Sequence, residues 1–152
     1  MDQATKLKIY QAQTENVQYL NKARKQISRT INYGLRKGDQ VSVEVQTKLL
    51  ALLFSAWVEA NFYKVLHTPY GFDIDEIEQI KLMYRSFGLG EGWKKCVELG
   101  IRKISDPPRS NYVPNARKKL GVFIQNYVIE PSQIRNKIAH GQWVIALNSD
   151  NT

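Results

Sequence analysis

The sequence predicts an all-α fold, an antiparallel bundle of about five helices. Apolar residues recur at three- and four-residue steps through most of the chain, and glycines and prolines are grouped between these stretches. With 152 residues, 43% of them apolar, the chain has the size of one compact domain that can bury a substantial core. We therefore assign residues 1–152 to a single domain, in which residues 142–152 form a C-terminal tail.

The first two predicted helices are the longest. An amphipathic stripe over residues 3–33 predicts the first helix, and Gly34 and Gly38 are expected to end it. Residues 43–67 form the most apolar segment, with apolar side chains around nearly the whole circumference, and Pro69 follows it. Such a helix belongs at the centre of a bundle or in a dimer interface.

Two shorter helices are predicted next. Asp73, followed three residues later by Glu76, indicates an acidic variant of a capping box at the start of the third helix. Gly88 and Gly90 are expected to stop this helix, and a fourth helix is expected over residues 91–104. Consecutive prolines then predict a rigid loop, because proline cannot continue helical hydrogen bonding.

The fifth predicted helix starts near Pro114, since proline is tolerated in a first turn. The apolar residues that it should bury are Leu120, Phe123, Ile124 and Tyr127. Pro131 should break or bend it, which leaves either one kinked helix or two nearly coaxial pieces, with residues 135–140 in the last turns and Gly141 as the C-terminal cap. In the tail, a short strand or an irregular flap is expected at Trp143, Val144 and Ile145.

Charge and cysteine content limit the setting of the protein. The formal net charge of +8 implies a polyanionic partner, which could be a nucleic acid, an acidic protein or an anionic membrane surface. Cys96 is the only cysteine, so an intrachain disulfide is impossible and a reducing compartment is expected. The first ten residues lack the apolar core of a signal peptide, and the longest apolar run, residues 49–58, is too short to span a bilayer. We expect a soluble cytoplasmic protein without a membrane partner.

Three residues near the end of the last helix have side chains suited to cleaving RNA. The imidazole of His140 titrates near neutral pH and can exchange a proton with a ribose hydroxyl. The guanidinium of Arg135 can bind two oxygens of a phosphate, and the amide of Asn136 can hold either partner in place. This combination suits phosphodiester transesterification without a metal or other cofactor, and no residues are spaced like a catalytic metal site.

Residues 135–141, Arg-Asn-Lys-Ile-Ala-His-Gly, closely resemble the Arg-polar-x-x-x-His signature of HEPN domains (higher eukaryotes and prokaryotes nucleotide-binding), small helical bundles of which many are ribonucleases. By this resemblance His140 would be the general base or acid, Arg135 would stabilise the pentacoordinate phosphate, and Asn136 would orient the reactants. The expected products are a 2′,3′-cyclic phosphate and a 5′-hydroxyl. HEPN ribonucleases typically form their cleft at a dimer interface, so the resemblance also implies a homodimer.

Helix geometry leaves two arrangements of the motif open. On an ideal helix Arg135 and His140 point about 140° apart, so a regular helix would not direct both at one phosphate. Either the helix ends at His140, which frees its direction, or two copies of the motif meet across a two-fold axis.

A glutamate of the second helix is an auxiliary candidate. Glu59 follows the apolar part of this helix, at a place where some HEPN relatives carry an acidic residue that faces the motif. A buried charge is costly unless it is paired, and Arg135 is the expected partner. A glutamate on the helix surface is an equally good interpretation.

Basic and polar residues provide candidate contacts to RNA. Lys137 and Gln142 flank the motif, although a solvated surface residue is the default interpretation of each. The first helix carries a run of basic residues without an acidic residue between them: Lys22, Arg24, Lys25, Arg29, Arg36 and Lys37. We assign Arg29, Arg36 and Lys37 to RNA binding, with a solvated helix face as the alternative.

These observations predict a metal-independent endoribonuclease of the HEPN type that acts on single-stranded or looped RNA. By the resemblance it would serve as a toxin or an antiviral defence effector, with an antitoxin or a defence-complex partner possible. The rival hypothesis is a non-catalytic HEPN-like module that binds RNA, a nucleotide or another protein. A third is that residues 1–152 are one end of a longer polypeptide. His67, near the end of the second helix, is expected to be structural.

Overall fold

The computed structural model describes residues 2–104 and 111–144, and all regular structure within these ranges is helical. The helices are α1 (Gln3–Lys37), α2 (Gln40–Leu66), α3 (Ile74–Phe87), α4 (Leu89–Arg102), α5 (Tyr112–Ile124) and α6 (Glu130–Ala139). A π-helical segment, Gln125–Ile129, joins α5 to α6 without a break. Counting α5, this segment and α6 as one rod, the predicted all-α bundle of about five helices is confirmed. Trp143 and Val144 form no strand, and residue 145 lies outside the described residues.

α1 and α2 form a long helical hairpin. Gly38, at a φ of 70°, ends α1, and the amide of Asp39 donates to the Gly34 carbonyl at 3.0 Å. The expectation that Gly34 also ends the helix is wrong, because Gly34 is buried inside α1. A Cβ on Gly34 would lie 2.9 Å from Cγ2 of Val43, so the missing side chain lets the two helices approach closely.

The C-terminal half of α2 passes through the main core. Phe62 and Leu66 are fully buried there, against Ile77 and Ile80 of α3 and against α4. The N-terminal half is more open, with Val41 74% exposed. By length and composition alone α2 would also be able to cross a membrane, which is weak evidence because the core helices of soluble proteins pass the same test.

α3 and α4 form a second, shorter hairpin. Asp73 and Glu76 make both hydrogen bonds of the predicted capping box, each 2.8 Å long. Gly88 ends α3 as expected, but Gly90 lies in the first turn of α4 instead of terminating α3. A Cβ on Gly90 would lie 2.5 Å from Cγ1 of Ile129, so α4 packs directly against the π segment.

The π segment is the response of the last rod to Pro131. Proline has no amide hydrogen to donate, and its ring clashes with the carbonyl four residues back in an α-helix. Here the chain forms a wider turn just before Pro131, in which the amide of Glu130 donates to the carbonyl of Gln125, five residues back. Either one kinked helix or two nearly coaxial pieces was expected, and the chain forms two α-helices joined by a π turn.

The expected burial of α5 is only partly correct. Ile124 is buried at 4% exposure and packs with Val128 against Val58 of α2. The other three apolar residues that were expected in the core, Leu120, Phe123 and Tyr127, are 42%, 56% and 54% exposed. They lie instead along an open apolar cavity of about 490 Å³ that α5 shares with α2 and α4. Only one edge of α5 faces the core, so the prediction from helical spacing overestimated how many apolar side chains of this helix are buried.

Candidate functional site

Arg135 enters a cavity of about 340 Å³, referred to below as the arginine cavity. α6 lies against α2, and the junction of α3 and α4 forms the third side. The polar side chains that line the cavity are Ser55, Glu59, Glu91, Ser132, Arg135 and Asn136. Two of the three predicted catalytic residues and the auxiliary Glu59 are therefore brought together.

The guanidinium of Arg135 is not neutralised by the protein around it. Its Nε is buried without a hydrogen-bond partner, and no ion pair within residues 2–104 and 111–144 includes it. An unpaired buried donor is costly, and a guanidinium bonds most strongly to the paired oxygens of a carboxylate or a phosphate. The cavity therefore presents a cation that an oxyanion of a ligand can bind.

Glu59 bonds to a different residue from the one expected. Its Oε1 accepts a hydrogen bond of 2.6 Å from the hydroxyl of Tyr84 on α3, and it makes no ion pair with Arg135. This bond and burial raise the pKa of Tyr84 above its ordinary range, since both favour the protonated phenol. The predicted pair of Glu59 and Arg135 is therefore wrong, because a tyrosine that lies 25 residues further along the sequence bonds to the carboxylate instead.

The two serines of the cavity were not identified from the sequence. Ser132 Oγ donates to the carbonyl of Ile129 at 2.7 Å, which satisfies an acceptor of the π segment. Ser55 and Glu59 are four residues apart on α2, as are Ser132 and Asn136 on α6. This spacing places the two members of each pair on one helix face. Ser55 and Ser132 could therefore have been identified from the sequence by their four-residue spacing from Glu59 and Asn136.

The first turn of α4 forms the opposite wall of the arginine cavity. Residues 88–91 line it, and the amides at the start of a helix carry partial positive charge. Glu91 also lines this wall, and its carboxylate pairs with Lys94 at 2.6 Å. The cavity thus holds a free guanidinium and two carboxylates that already have partners.

His140 lies outside the arginine cavity, at the exposed C-terminal cap of α6. Gly141, at a φ of 81°, follows it, and the amides of Gly141 and Gln142 donate to the carbonyls of Ile138 and Lys137. This is a Schellman motif, so the prediction of Gly141 as the cap is confirmed. The helix ends at His140, which was one of the two expected arrangements. The backbone of His140 leaves the helical region with a φ of −88° and a ψ of 18°, and His140 does not line the cavity that Arg135 enters.

The predicted RNA-binding residues lie on two separate elements, the end of α6 with the tail that follows it and the C-terminal half of α1. Lys137 is exposed on α6, and the described part of the tail folds back, with Trp143 Nε1 donating to the carbonyl of Ile138 at 2.9 Å. Lys48 of α2 lies over the Trp143 ring at 5.7 Å from its centroid. Gln142 follows Gly141 and is half-buried.

On α1 the predicted residues Arg29, Arg36 and Lys37 are all exposed. Because α1 and α2 reverse direction at Gly38, Arg29 lies at about the same level along the hairpin as Lys48, near the tail. Arg36 and Lys37 lie roughly 10 Å or more further along α1, at its end. The structure therefore brings only Arg29 to the level of the motif.

Within the described ranges, no group of three or more histidine, cysteine, aspartate or glutamate side chains is arranged to hold a metal ion. No family model, curated protein or solved structure matches this chain. The fold and the arginine cavity define a helical-bundle protein in which an arginine without an ion-pair partner among the described residues lines a polar cavity. Its placement among the HEPN domains stays a prediction that the motif carries.

Proposed function

We propose that this protein is a metal-independent endoribonuclease. The observation that carries the proposal is the unpaired guanidinium of Arg135 in a polar cavity, five residues before an exposed histidine at the end of the same helix. The net charge of +8 favours a polyanionic substrate, and the oxyanion that fits the free guanidinium is then a phosphate of RNA.

In the proposed reaction an imidazole of His140 removes the proton of a ribose 2′-hydroxyl. The 2′-oxygen attacks the adjacent phosphorus in line, and negative charge builds on the non-bridging oxygens, which Arg135 binds. The bond to the 5′-oxygen breaks as that oxygen takes up a proton from the imidazolium, directly or through water, leaving a 2′,3′-cyclic phosphate, a 5′-hydroxyl and a neutral imidazole. Asn136, which is exposed and lines the cavity, orients the phosphate.

The proposed site is shared between two copies of the chain. Within one chain Arg135 lines the cavity and His140 is exposed outside it, so we propose that the arginine of one copy acts with the histidine of the other across a two-fold axis. Ile134, next to the motif and 59% exposed, supplies apolar surface for such a contact. We propose a homodimer on these grounds.

The test uses mixed cellular RNA in the presence of a chelator. Arg135→Ala and His140→Ala should each abolish cleavage while the helical content and the oligomeric state stay unchanged. Lys137→Ala is the matched control, because Lys137 is an exposed neighbour in the same helix, and it should retain most of the cleavage. Equal activity of the two motif variants and the unaltered protein would disprove the proposal.

A mixing experiment tests whether the site is shared. When the Arg135→Ala and His140→Ala proteins are combined and allowed to exchange subunits, each mixed dimer regains one site with an intact arginine and an intact histidine. Cleavage should return to about a quarter of the unaltered level, as random pairing dictates. No recovery despite proven exchange would mean that both residues act within one chain.

The biological role follows only from the resemblance to HEPN domains. We propose a cytoplasmic toxin or antiviral defence effector, held in check or recruited by an antitoxin or another defence protein, and expression should then arrest growth. If the unaltered protein binds RNA but never cuts it under any partner condition, the non-catalytic binding module is the better description.

A further inference from the structure

A second cavity lies at the other end of the bundle from the motif. It measures about 560 Å³ and is formed by the start of α1, the loop between α2 and α3, and the end of α4. The side chains that matter below are Lys6, His67, Asp73 and Lys103. None of these residues lines the arginine cavity, and the proposed ribonuclease does not use them.

Lys6 is buried without a counter-ion. Its side chain belongs to a residue that is only 2% exposed, and Nζ donates a hydrogen bond of 2.6 Å to the carbonyl of Phe72. No carboxylate among the described residues forms an ion pair with it. An ammonium has three donors and a full charge, so burial with one neutral acceptor leaves most of its desolvation cost uncompensated.

His67 has an unused acceptor in the wall of the same cavity. The residue is 1% exposed, and Nδ1 lies 2.7 Å from the carbonyl of Tyr63, so Nδ1 carries the hydrogen because a carbonyl can only accept. Burial, opposed by this bond, lowers the pKa of His67, which keeps the ring neutral at neutral pH. Nε2 therefore holds a lone pair, and it is buried without a hydrogen-bond donor.

The other two charged side chains named above already have hydrogen-bond partners. Lys103 Nζ contacts Glu76 Oε2 at 2.5 Å and the carbonyl of Gly71 at 3.0 Å. The carboxylate of Asp73 accepts from the amide of Glu76 at 2.8 Å, at the positive end of α3. Lys6 is the cation at this cavity without a carboxylate partner among the described residues. A ligand with one negative charge suits it better than a phosphate dianion, because the Asp73 carboxylate in the same lining would repel a second negative charge.

We propose that this cavity binds a small hydroxy acid, whose carboxylate neutralises Lys6 and whose hydroxyl donates to Nε2 of His67. Within the part of the chain that the structure describes, Lys6 lacks a counter-ion and Nε2 of His67 lacks a hydrogen-bond donor. Both residues line one cavity with room for a molecule of this size. The ligand is thus defined by a charge of minus one and by an adjacent donor.

The binding test uses the full chain with sodium L-lactate as the probe, and with sodium propionate, inorganic phosphate and sodium chloride at equal ionic strength. L-Lactate should raise the midpoint of thermal unfolding more than chloride does, and it should bind about tenfold tighter than propionate, which lacks the hydroxyl. Phosphate that binds better than lactate, or no anion that exceeds chloride, would overturn the proposal. Equal binding of lactate and propionate would overturn the role of His67.

Variants locate the site. Lys6→Met keeps the length of the side chain and removes its charge, so it should abolish the effect of lactate without lowering the stability of the free protein. Lys8→Met, at an exposed position of the same helix, should leave lactate binding unchanged. His67→Asn retains a donor for the Tyr63 carbonyl and lacks Nε2, so it should bind lactate and propionate equally.

A spectroscopic readout does not depend on the folding of any variant at Lys6. In protein labelled with ¹⁵N at histidine, lactate should shift the Nε2 resonance of His67, which is assigned by comparison with the His140→Ala protein. Lactate that leaves both histidine spectra unchanged at saturation would overturn the site.

Discussion

The hydroxyl of Tyr84 donates a hydrogen bond of 2.6 Å to Oε1 of Glu59, which fixes a carboxylate in the wall of the arginine cavity. Tyr84 lies on α3 and Glu59 on α2, so this bond also ties the second hairpin to the first. The carboxylate of Glu59 is held by Tyr84 and forms no ion pair with Arg135. The guanidinium is thereby left free for a ligand.

Tyr84→Phe should lower the free energy of unfolding by about 1 kcal/mol, because it leaves a half-buried carboxylate without its donor. Chemical denaturation measures the change. Tyr19→Phe, at a position that is 74% exposed, is the control and should change the stability by no more than about 0.3 kcal/mol. Equal effects of the two substitutions would show that the bond contributes nothing.

The same bond predicts a dependence on alkaline pH. The folded protein raises the pKa of Tyr84 above its ordinary value of 10.0, so the stabilisation is complete below about pH 10 and is lost as the pH rises through the folded pKa. The stability of the unaltered protein should therefore fall above pH 10, and that of the Tyr84→Phe protein should fall less steeply. Denaturation at a series of alkaline pH values checks the difference in slope.

Gly90→Ala should destabilise the protein by about 1 to 3 kcal/mol, because the added methyl group would lie 2.5 Å from Cγ1 of Ile129 in the π segment. Combining it with Ile129→Ala should recover part of the loss. Gly121→Ala is the matched control, since a Cβ there meets nothing within 4 Å and alanine favours the helix, so the protein should gain up to about 1 kcal/mol. A loss of stability in the control would contradict the packing described for α5.

Gly141→Ala should cost about 1 kcal/mol, since Gly141 has a φ of 81° and an alanine is strained there. The Schellman motif that it completes holds the end of α6, where His140 lies. The rate of RNA cleavage, measured well below the unfolding temperature, should therefore fall by a larger factor than the folded fraction of the protein does. A cleavage rate that falls only in proportion to the folded fraction would show that the Schellman motif does not affect the catalytic site.

The thiol of Cys96 should be unreactive in the folded protein. It is 4% exposed, and burial raises its pKa to about 12 from an ordinary 9.0. A thiol reagent at pH 8 should label it only as fast as the core opens, and at once in denaturant. Because the folded state raises the pKa of this thiol, the protonated thiol contributes its whole stabilisation below pH 9, and this contribution to the free energy of unfolding is lost as the pH rises toward 12. Rapid labelling of the native protein would contradict the described core.

Features set by local backbone chemistry could be predicted from the sequence. The caps at Gly38, Gly88 and Gly141, and the pair Asp73 and Glu76, require only a few neighbouring residues to form. Each of these was expected at the position where it occurs. The placement of the motif in the last turns of the last helix followed from the same signals.

Features that depend on packing between helices could not be predicted. The bond between Tyr84 and Glu59 spans 25 residues, and no pattern within one helix indicates it. Whether Phe123 is buried depends on how much of α5 its neighbours cover, which helical spacing does not report. Nothing in the sequence indicated that Lys6 is buried either, because a lysine near the start of a helix is usually solvated.

The wide turn before Pro131 determines where the last helical segment can lose one residue without changing the direction of Arg135. A hydrogen bond to the fifth residue back encloses one residue more than an ordinary turn, so this turn is equivalent to a one-residue insertion. A deletion within Gln125–Ile129 would restore a plain helix and keep both flanking helices in their present orientations, provided that the proline is replaced as well. A deletion anywhere else between α5 and Arg135 would swing the guanidinium about 100° around the rod and out of its pocket. We expect evolutionary variants that lack the proline to lack the extra residue too.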